Sequence, residues 1–241
     1  AAGESYKGTS RFKVTPLMVA ARGGHSASVS FLINRGADPL LQGPEKFNAL
    51  GFAILSGDWK TIQAFKKADI PLTTQASSVG AALHTAIAYK KNFLVSEMVY
   101  AGAPVNQISG ALSPLMIAVA RGDAASFKYL LKAGAKPNLK NKGGATALLL
   151  AAYMGKLELV KSLIHHGADI HQTNHQGGTA LRSAAAGGHA DVVRFLLTKG
   201  SKIRTRDKFG KYPIDYAKEK GHQKIISLLQ SWNKETASHI H

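Results

Sequence analysis

Apolar residues recur along this chain at steps of three and four, in short runs that return at a nearly constant distance. One run opens Thr15-Pro16-Leu17-Met18, and another, almost unchanged, opens Ser113-Pro114-Leu115-Met116. Thr146-Ala147-Leu148, Thr179-Ala180-Leu181 and Tyr212-Pro213-Ile214 are further openings, with Asn48-Ala49-Leu50 and Ala81-Ala82-Leu83-His84 as weaker copies. The openings fall at 15, 48, 81, 113, 146, 179 and 212, a period of 33 residues shortened once to 32. A unit of that length cannot bury an apolar face by itself, so neighbouring units must stack.

Each unit reads as two short helices and a projecting connection. Thr-Pro suits a helix start, because the threonine side chain accepts an orphan N–H and proline fits the first helical turn. A glycine nine residues on (Gly24, Gly57, Gly122, Gly155, Gly188, Gly221) permits a tight reversal; Lys90 stands there in the third unit. Apolar residues at helical spacing follow, as in Val29 with Leu32-Ile33 or Val193 with Leu196-Leu197, and give the second helix one buried stripe. Most units close with Gly-Ala, as at Gly36-Ala37 and Gly167-Ala168, where glycine supplies a left-handed helix end.

The stretches Thr15-Pro16-Leu17…Gly24-His25…Gly36-Ala37-Asp38 and Thr179…Gly188-His189 closely resemble the ankyrin repeat. The resemblance implies an all-α repeat solenoid of about seven helix-turn-helix units with loops or β-hairpin fingers, spanning residues 15–230. Residues 1–14 are then an N-terminal arm or half-cap, and 231–241 a tail. Two units depart from the pattern. Unit two ends Asp69-Ile70-Pro71, which predicts a short or irregular second helix and an unusual finger over 72–80. Unit three lacks both its Thr-Pro and its glycine, so local stability is expected to be lowest near 66–92.

Composition narrows the function. No stretch approaches the eighteen consecutive apolar residues of a membrane span. Cysteine is absent, which excludes disulfides, thiolate metal sites and a cysteine nucleophile. Gly-x-Ser-x-Gly and His-Glu-x-x-His are also absent, and the few carboxylates are scattered, so the chain is read as a non-enzyme. His25, His84, His189 and His222 occupy structural places of the repeat. His165, His166, His171 and His175 cluster without a carboxylate or thiolate to complete a tetrahedral set. No cofactor and no metal is expected.

Net charge is +17, and it is uneven: 11 Lys/Arg against 6 Asp/Glu over 1–120, but 20 against 8 over 121–241. Such asymmetry suits an acidic partner. The basic residues are not interleaved with aromatic stacking platforms, which argues against nucleic acid. The resemblance implies that a partner meets the fingertips and the ends of the first helices. Helix ends carry Arg22, Leu55, Tyr89, Arg121, Tyr153, Met154 and Lys220; finger positions carry Arg11, Phe12, Glu45, Phe47, Leu112, Lys142, His175, Gln176, Lys208, Phe209 and Lys211. Tyr, Arg, Phe and Met are enriched at interface centres, and Tyr89, Arg121, Tyr153 and Met154 are expected to form one strip.

The expected function is therefore protein binding, as an inhibitor, effector or scaffold, by a chain that is a monomer when free. The opening Ala1-Ala2-Gly3-Glu4-Ser5 reads as the remainder of signal-peptidase cleavage, with a trimmed cytoplasmic chain as the alternative. The chain also looks like exported bacterial ankyrin proteins that protect a cell from its own secreted enzymes. That resemblance implies a periplasmic self-protection protein capping a cell-wall endopeptidase of the penicillin-binding-protein type.

Overall fold

The structure, a computed structural model, describes residues 14–43, 47–70, 83–100, 102–108 and 110–238. Its regular elements are helices in seven pairs: α1 Pro16–Arg22 with α2 Ser26–Asn34, α3 Ala49–Ser56 with α4 Trp59–Lys67, and α5 (83–88) with α6 Asn92–Tyr100. Then come α7 Pro114–Arg121 with α8 Ala124–Lys132, α9 Ala147–Tyr153 with α10 Leu157–His165, α11 Ala180–Gly187 with α12 Ala190–Thr198, and α13 Pro213–Glu219 with α14 Gln223–Ser238. No strand occurs among the described residues, so their fingers are turns rather than β-hairpins. The solenoid class follows directly from this pairing.

The openings cap as their chemistry dictates. The side-chain oxygens of Thr15, Asn48, Ser113, Thr146 and Thr179 accept the N–H three residues on, at 2.9–3.4 Å. Asp215 reaches back to the Tyr212 N–H at 2.8 Å, doing the same work from the other side. Each such cap stabilises its helix by about 1 kcal/mol.

The two irregular units fold more regularly than their residues suggest. α4 spans nine residues, the same as α2, α6, α8, α10 and α12, so the expectation of a shortened helix is corrected. Asp58 caps it, accepting from the Thr61 N–H at 2.9 Å and the Thr61 hydroxyl at 2.6 Å. Those two bonds, the hydroxyl's first, hold the Asp58 carboxyl below its ordinary pKa. Asp69 takes the left-handed conformation (φ 53°) that glycine supplies in five other units, and Lys90 (φ 53°) does so at the mid-unit reversal. The backbone geometry of the repeat is kept at the cost of strain in two residues with a Cβ. The finger expected over 72–80, the arm over 1–13 and the tail end His239 and His241 lie outside the described residues. The expected tail from 231 is helical as far as Ser238, because α14 continues without a break.

The chain forms two compact units, Ala1–Pro104 and Val105–His241. In the first, α1 packs on α3 and α2 on α4; Leu17, Ala21, Leu50, Ala53, Ile54 and Phe65 are almost fully buried there. In the second, α7, α9, α11 and α13 pack in sequence through small residues such as Ala118, Ala151, Ala152, Ala184 and Ala185, all at 0% exposure. Leu115, Leu130, Leu148, Leu163 and Leu196 fill the space between the helix layers, each contributing roughly 1.5–3 kcal/mol by leaving water. Side chains tie successive repeats together. Asn106 donates to Gly134 O (3.1 Å) and accepts from Lys136 N–H (2.7 Å), and Asn138 repeats the pair with Gly167 O and Asp169 N–H, both at 2.8 Å. His189 and His222 donate from Nε2 to Tyr153 O (2.8 Å) and Ala186 O (3.3 Å), which bears out their structural reading.

Candidate functional site

The fingers of the second unit are built alike. Asn141 Oδ1 accepts from the N–H groups of Gly143 (3.0 Å) and Ala145 (2.9 Å). Asn174 Oδ1 does so from Gln176 (3.0 Å) and Gly178 (2.9 Å), and Asp207 Oδ1 from Phe209 (2.9 Å) and Lys211 (3.1 Å). Short polar side chains mimic a backbone turn in this way. Backbone bonds link each finger to the next: His175 N–H to Gly143 O at 3.1 Å, and Lys208 N–H to Gln176 O at 2.9 Å. Lys142, His175, Lys208 and Phe209 are consequently held exposed along one ribbon of turns, with Gln176 exposed and Lys211 half-buried beside them.

Between the fingers and the first helices runs a groove of about 230 Å3, lined by Leu112, Met116, Leu149, Leu150, Tyr153 and Arg182, with Asn141 and Asn174 on the finger side. Tyr153, the last residue of α9, is 58% exposed at its edge. Leu112 and Met154 are half-buried, and Arg121, the last residue of α7, is exposed. The structure thus brings Leu112 and Tyr153 into one groove. Tyr89 is 65% exposed but belongs to the first unit, so the strip is described only as far as Arg121, Tyr153 and Met154 share one unit.

In the first unit a second groove uses corresponding places. Val14, Met18, Val19 and Arg22 line it with Phe52, Leu55 and Ser56. Of the residues expected to meet a partner, Arg22 and Leu55 both line this groove, with Arg22 exposed and Leu55 half-buried. Phe47 does not sit at a fingertip. It is only 8% exposed, turned inward against Phe52 at a ring separation of 5.9 Å, and its ring occupies the space where a Cβ on Gly51 would stand. Its inclusion among contact residues is corrected: an apolar ring beside a glycine gap is more stable buried than wet. Arg11, Phe12 and Glu45 lie outside the described residues.

Arg182 and Asp207 were not among the expected contacts. The Arg182 guanidinium stacks on the Tyr216 ring (4.8 Å to the centroid), and its Nε is buried without a hydrogen-bond partner. Tyr216 donates to Asp207. Burial alone would raise the Asp207 pKa; the bonds from Tyr216, Lys211 N–H and Phe209 N–H and the charge of Arg182 outweigh it and hold the carboxyl below its ordinary value. Burial, with the bond to Asp207, pushes the Tyr216 phenol up. The signal in the repeat was partial: the corresponding places hold Met18, Gly51, His84, Met116, Leu149 and Asp215, so Arg182 follows two apolar residues, Met116 and Leu149, in the preceding repeats.

The nine Lys/Arg of Lys199–Lys224 face three acids, and all three are engaged inside the fold: Asp207 in its turn, Asp215 at the helix cap, Glu219 with Lys211. Lys202, Arg204, Arg206, Lys208, Lys218, Lys220 and Lys224 are exposed, which leaves the end of the second unit strongly positive. Among the described residues no group of three or more His, Cys, Asp or Glu is placed to hold a metal, and no helix is long and apolar enough to cross a membrane.

The family model for ankyrin repeats in three copies matches residues 83–174 and 148–238, and the single ankyrin repeat matches 13–44. No curated protein matches the chain. These matches cover well over half its length and fall on the helix pairs whose caps, reversals and finger turns recur in phase, so the chain belongs to the ankyrin-repeat family, whose members bind other proteins.

Proposed function

We propose that this chain binds a folded protein through the groove of its second unit and blocks the surface it covers. The observation that carries this reading is the apolar groove whose half-buried Leu112 and Leu150 lie over the buried Met116 and Leu149, with Tyr153 standing exposed at its rim. A half-open apolar slot with an aromatic edge is the kind of surface where binding energy concentrates. The positive end at Lys199–Lys224 would draw an acidic face and speed encounter.

The finer reading is an inhibitor: a self-protection protein that caps the active-site mouth of a partner enzyme, such as a periplasmic cell-wall endopeptidase, in an exported compartment and as a monomer when free. Its support is the resemblance to exported bacterial ankyrin proteins. Mixing the chain with a purified penicillin-binding-protein-type endopeptidase should slow hydrolysis of peptidoglycan cross-links; undiminished hydrolysis at saturating protein would remove that partner.

The coarser reading is tested with partners captured from the source cells and then purified. Tyr153→Ala should weaken the complex by about 2 kcal/mol while leaving the helical circular dichroism unchanged. Full affinity in that variant would move the site elsewhere. A salt titration with DNA and RNA separates the alternative of phosphate-driven binding, which falls steeply with ionic strength.

A further inference from the structure

Among the described residues, Arg182 is the one charged residue that lines the second unit's groove. Arg182 is half-buried, with its Nε fully covered, and an arginine so placed is commonly met by a carboxylate. Arg182 has none within ion-pair distance among the described residues. Asp207, the acid whose charge it feels, already receives Tyr216 and two backbone N–H groups.

The surroundings hold this cation in place. The Tyr216 ring lies under the guanidinium, its centroid 4.8 Å from Cζ. Gly178 gives it room: a Cβ on that residue would collide with the guanidinium nitrogens. Gly178 is not required by a left-handed backbone, since its φ is not positive, and the corresponding place in the preceding repeat is Ala145. The glycine therefore serves the arginine. Beside it the groove is apolar (Leu112, Met116, Leu149, Leu150), ends on Tyr153, and at about 230 Å3 is smaller than the roughly 300 Å3 at which small-molecule pockets begin.

We propose that Arg182 is a carboxylate anchor: the groove takes a segment of a partner protein that presents an Asp or Glu side chain to Arg182 and an adjacent aliphatic or aromatic side chain to Leu112, Leu150 and Tyr153. This rests on the protein-binding reading of the same groove and adds to it the chemistry of what enters. A planar guanidinium recognises a carboxylate through paired N–H donors, and a point charge on a flexible stem does so less well. The partner's acid supplies the direct ion pair that Asp207, already bonded to Tyr216 and two backbone N–H groups, does not make.

The test is selection of a displayed library of random linear peptides on the full chain, followed by titration of the recovered peptides in solution. Recovered peptides should carry an acid next to an apolar residue. Arg182→Gln should weaken them about thirtyfold, with Arg182→Lys intermediate. Gly178→Ala keeps the charge but displaces it, and should also weaken them; a matched helical signal for all three variants excludes misfolding. Lys202→Ala and Lys224→Ala, at the positive end, should change affinity only severalfold. Replacing the peptide's acid by its amide should abolish the preference, whereas amidating its C-terminus should not. Peptides without an acid, acidic peptides indifferent to Arg182→Gln, dependence on the C-terminal carboxylate, or no recovered peptide would overturn the proposal. Loss of binding on Tyr153→Ala but not on Arg182→Gln would leave the groove standing and remove the anchor; indifference to both would remove the groove as well.

Discussion

Phe47 with Gly51 in the first unit and Gly178 with Arg182 in the second occupy the same two places of the repeat, one residue before the opening and three after it. In the first unit the finger donates the bulk: the Phe47 ring lies over Gly51 and is buried. In the second the helix donates it: Arg182 lies over Gly178 and reaches Tyr216. One side of each pair is glycine, so the volume is conserved while the chemistry is exchanged. The first pair is core. The second is a charged group at the edge of a groove, and what separates them is whether the group that fills the gap can tolerate being dry.

The largest expected break is Phe47→Ala, which removes a buried ring and should destabilise the first unit by about 3 kcal/mol in urea denaturation. Arg182→Ala, at the matching gap, should cost no more than about 1 kcal/mol, since its head is half-solvated and unpaired. Near-equal losses would mean that both pairs are core.

Next comes Asp207→Ala, which strands Tyr216 and two backbone N–H groups and should cost about 2 kcal/mol. The carboxyls of Asp207 and Asp58 are held below their unfolded values, so their stabilisation is complete above about pH 4 and lost as pH falls through the lowered folded values. Melting temperature followed from pH 7 downward should therefore fall more steeply for the parent chain than for Asp207→Asn.

Smaller still is a pair of glycine substitutions. Gly51→Ala puts a Cβ 2.6 Å from Cδ1 of a ring that cannot move aside, and should destabilise by about 1–2 kcal/mol. Gly178→Ala meets only the end of a flexible side chain, and its effect on stability should stay within about 0.5 kcal/mol while Arg182 leaves Tyr216. Last, Lys90→Gly relieves a left-handed residue in the first unit and should stabilise it by at most about 1 kcal/mol, offset in part by a looser unfolded chain.

The fold was legible because each element of the repeat has a separate physical reason: Thr15, Ser113, Thr146 and Thr179 cap, the mid-unit glycines reverse the chain, and the alanines set the spacing. Where those letters fail, at Asp69 and Lys90, the stack imposes the same backbone on residues that would not choose it, and single-residue preference misled. The site was less legible. Exposure of Tyr153, Lys142 and His175 could be read from repeat position, but the inward turn of Phe47 depends on a glycine four residues away. Arg182 likewise shows its meaning only once Tyr216 and Gly178 are beside it.

The ribbon of turns joins finger to finger through main-chain bonds, His175 N–H to Gly143 O and Lys208 N–H to Gln176 O, with Lys140 Nζ donating to Thr173 O beside the first of them. Nothing in those links depends on which side chain stands at 142, 175, 208 or 209. Mutation can accordingly rewrite the outward lettering of this chain tip by tip without disturbing the frame, so specificity and foldability can evolve on separate accounts.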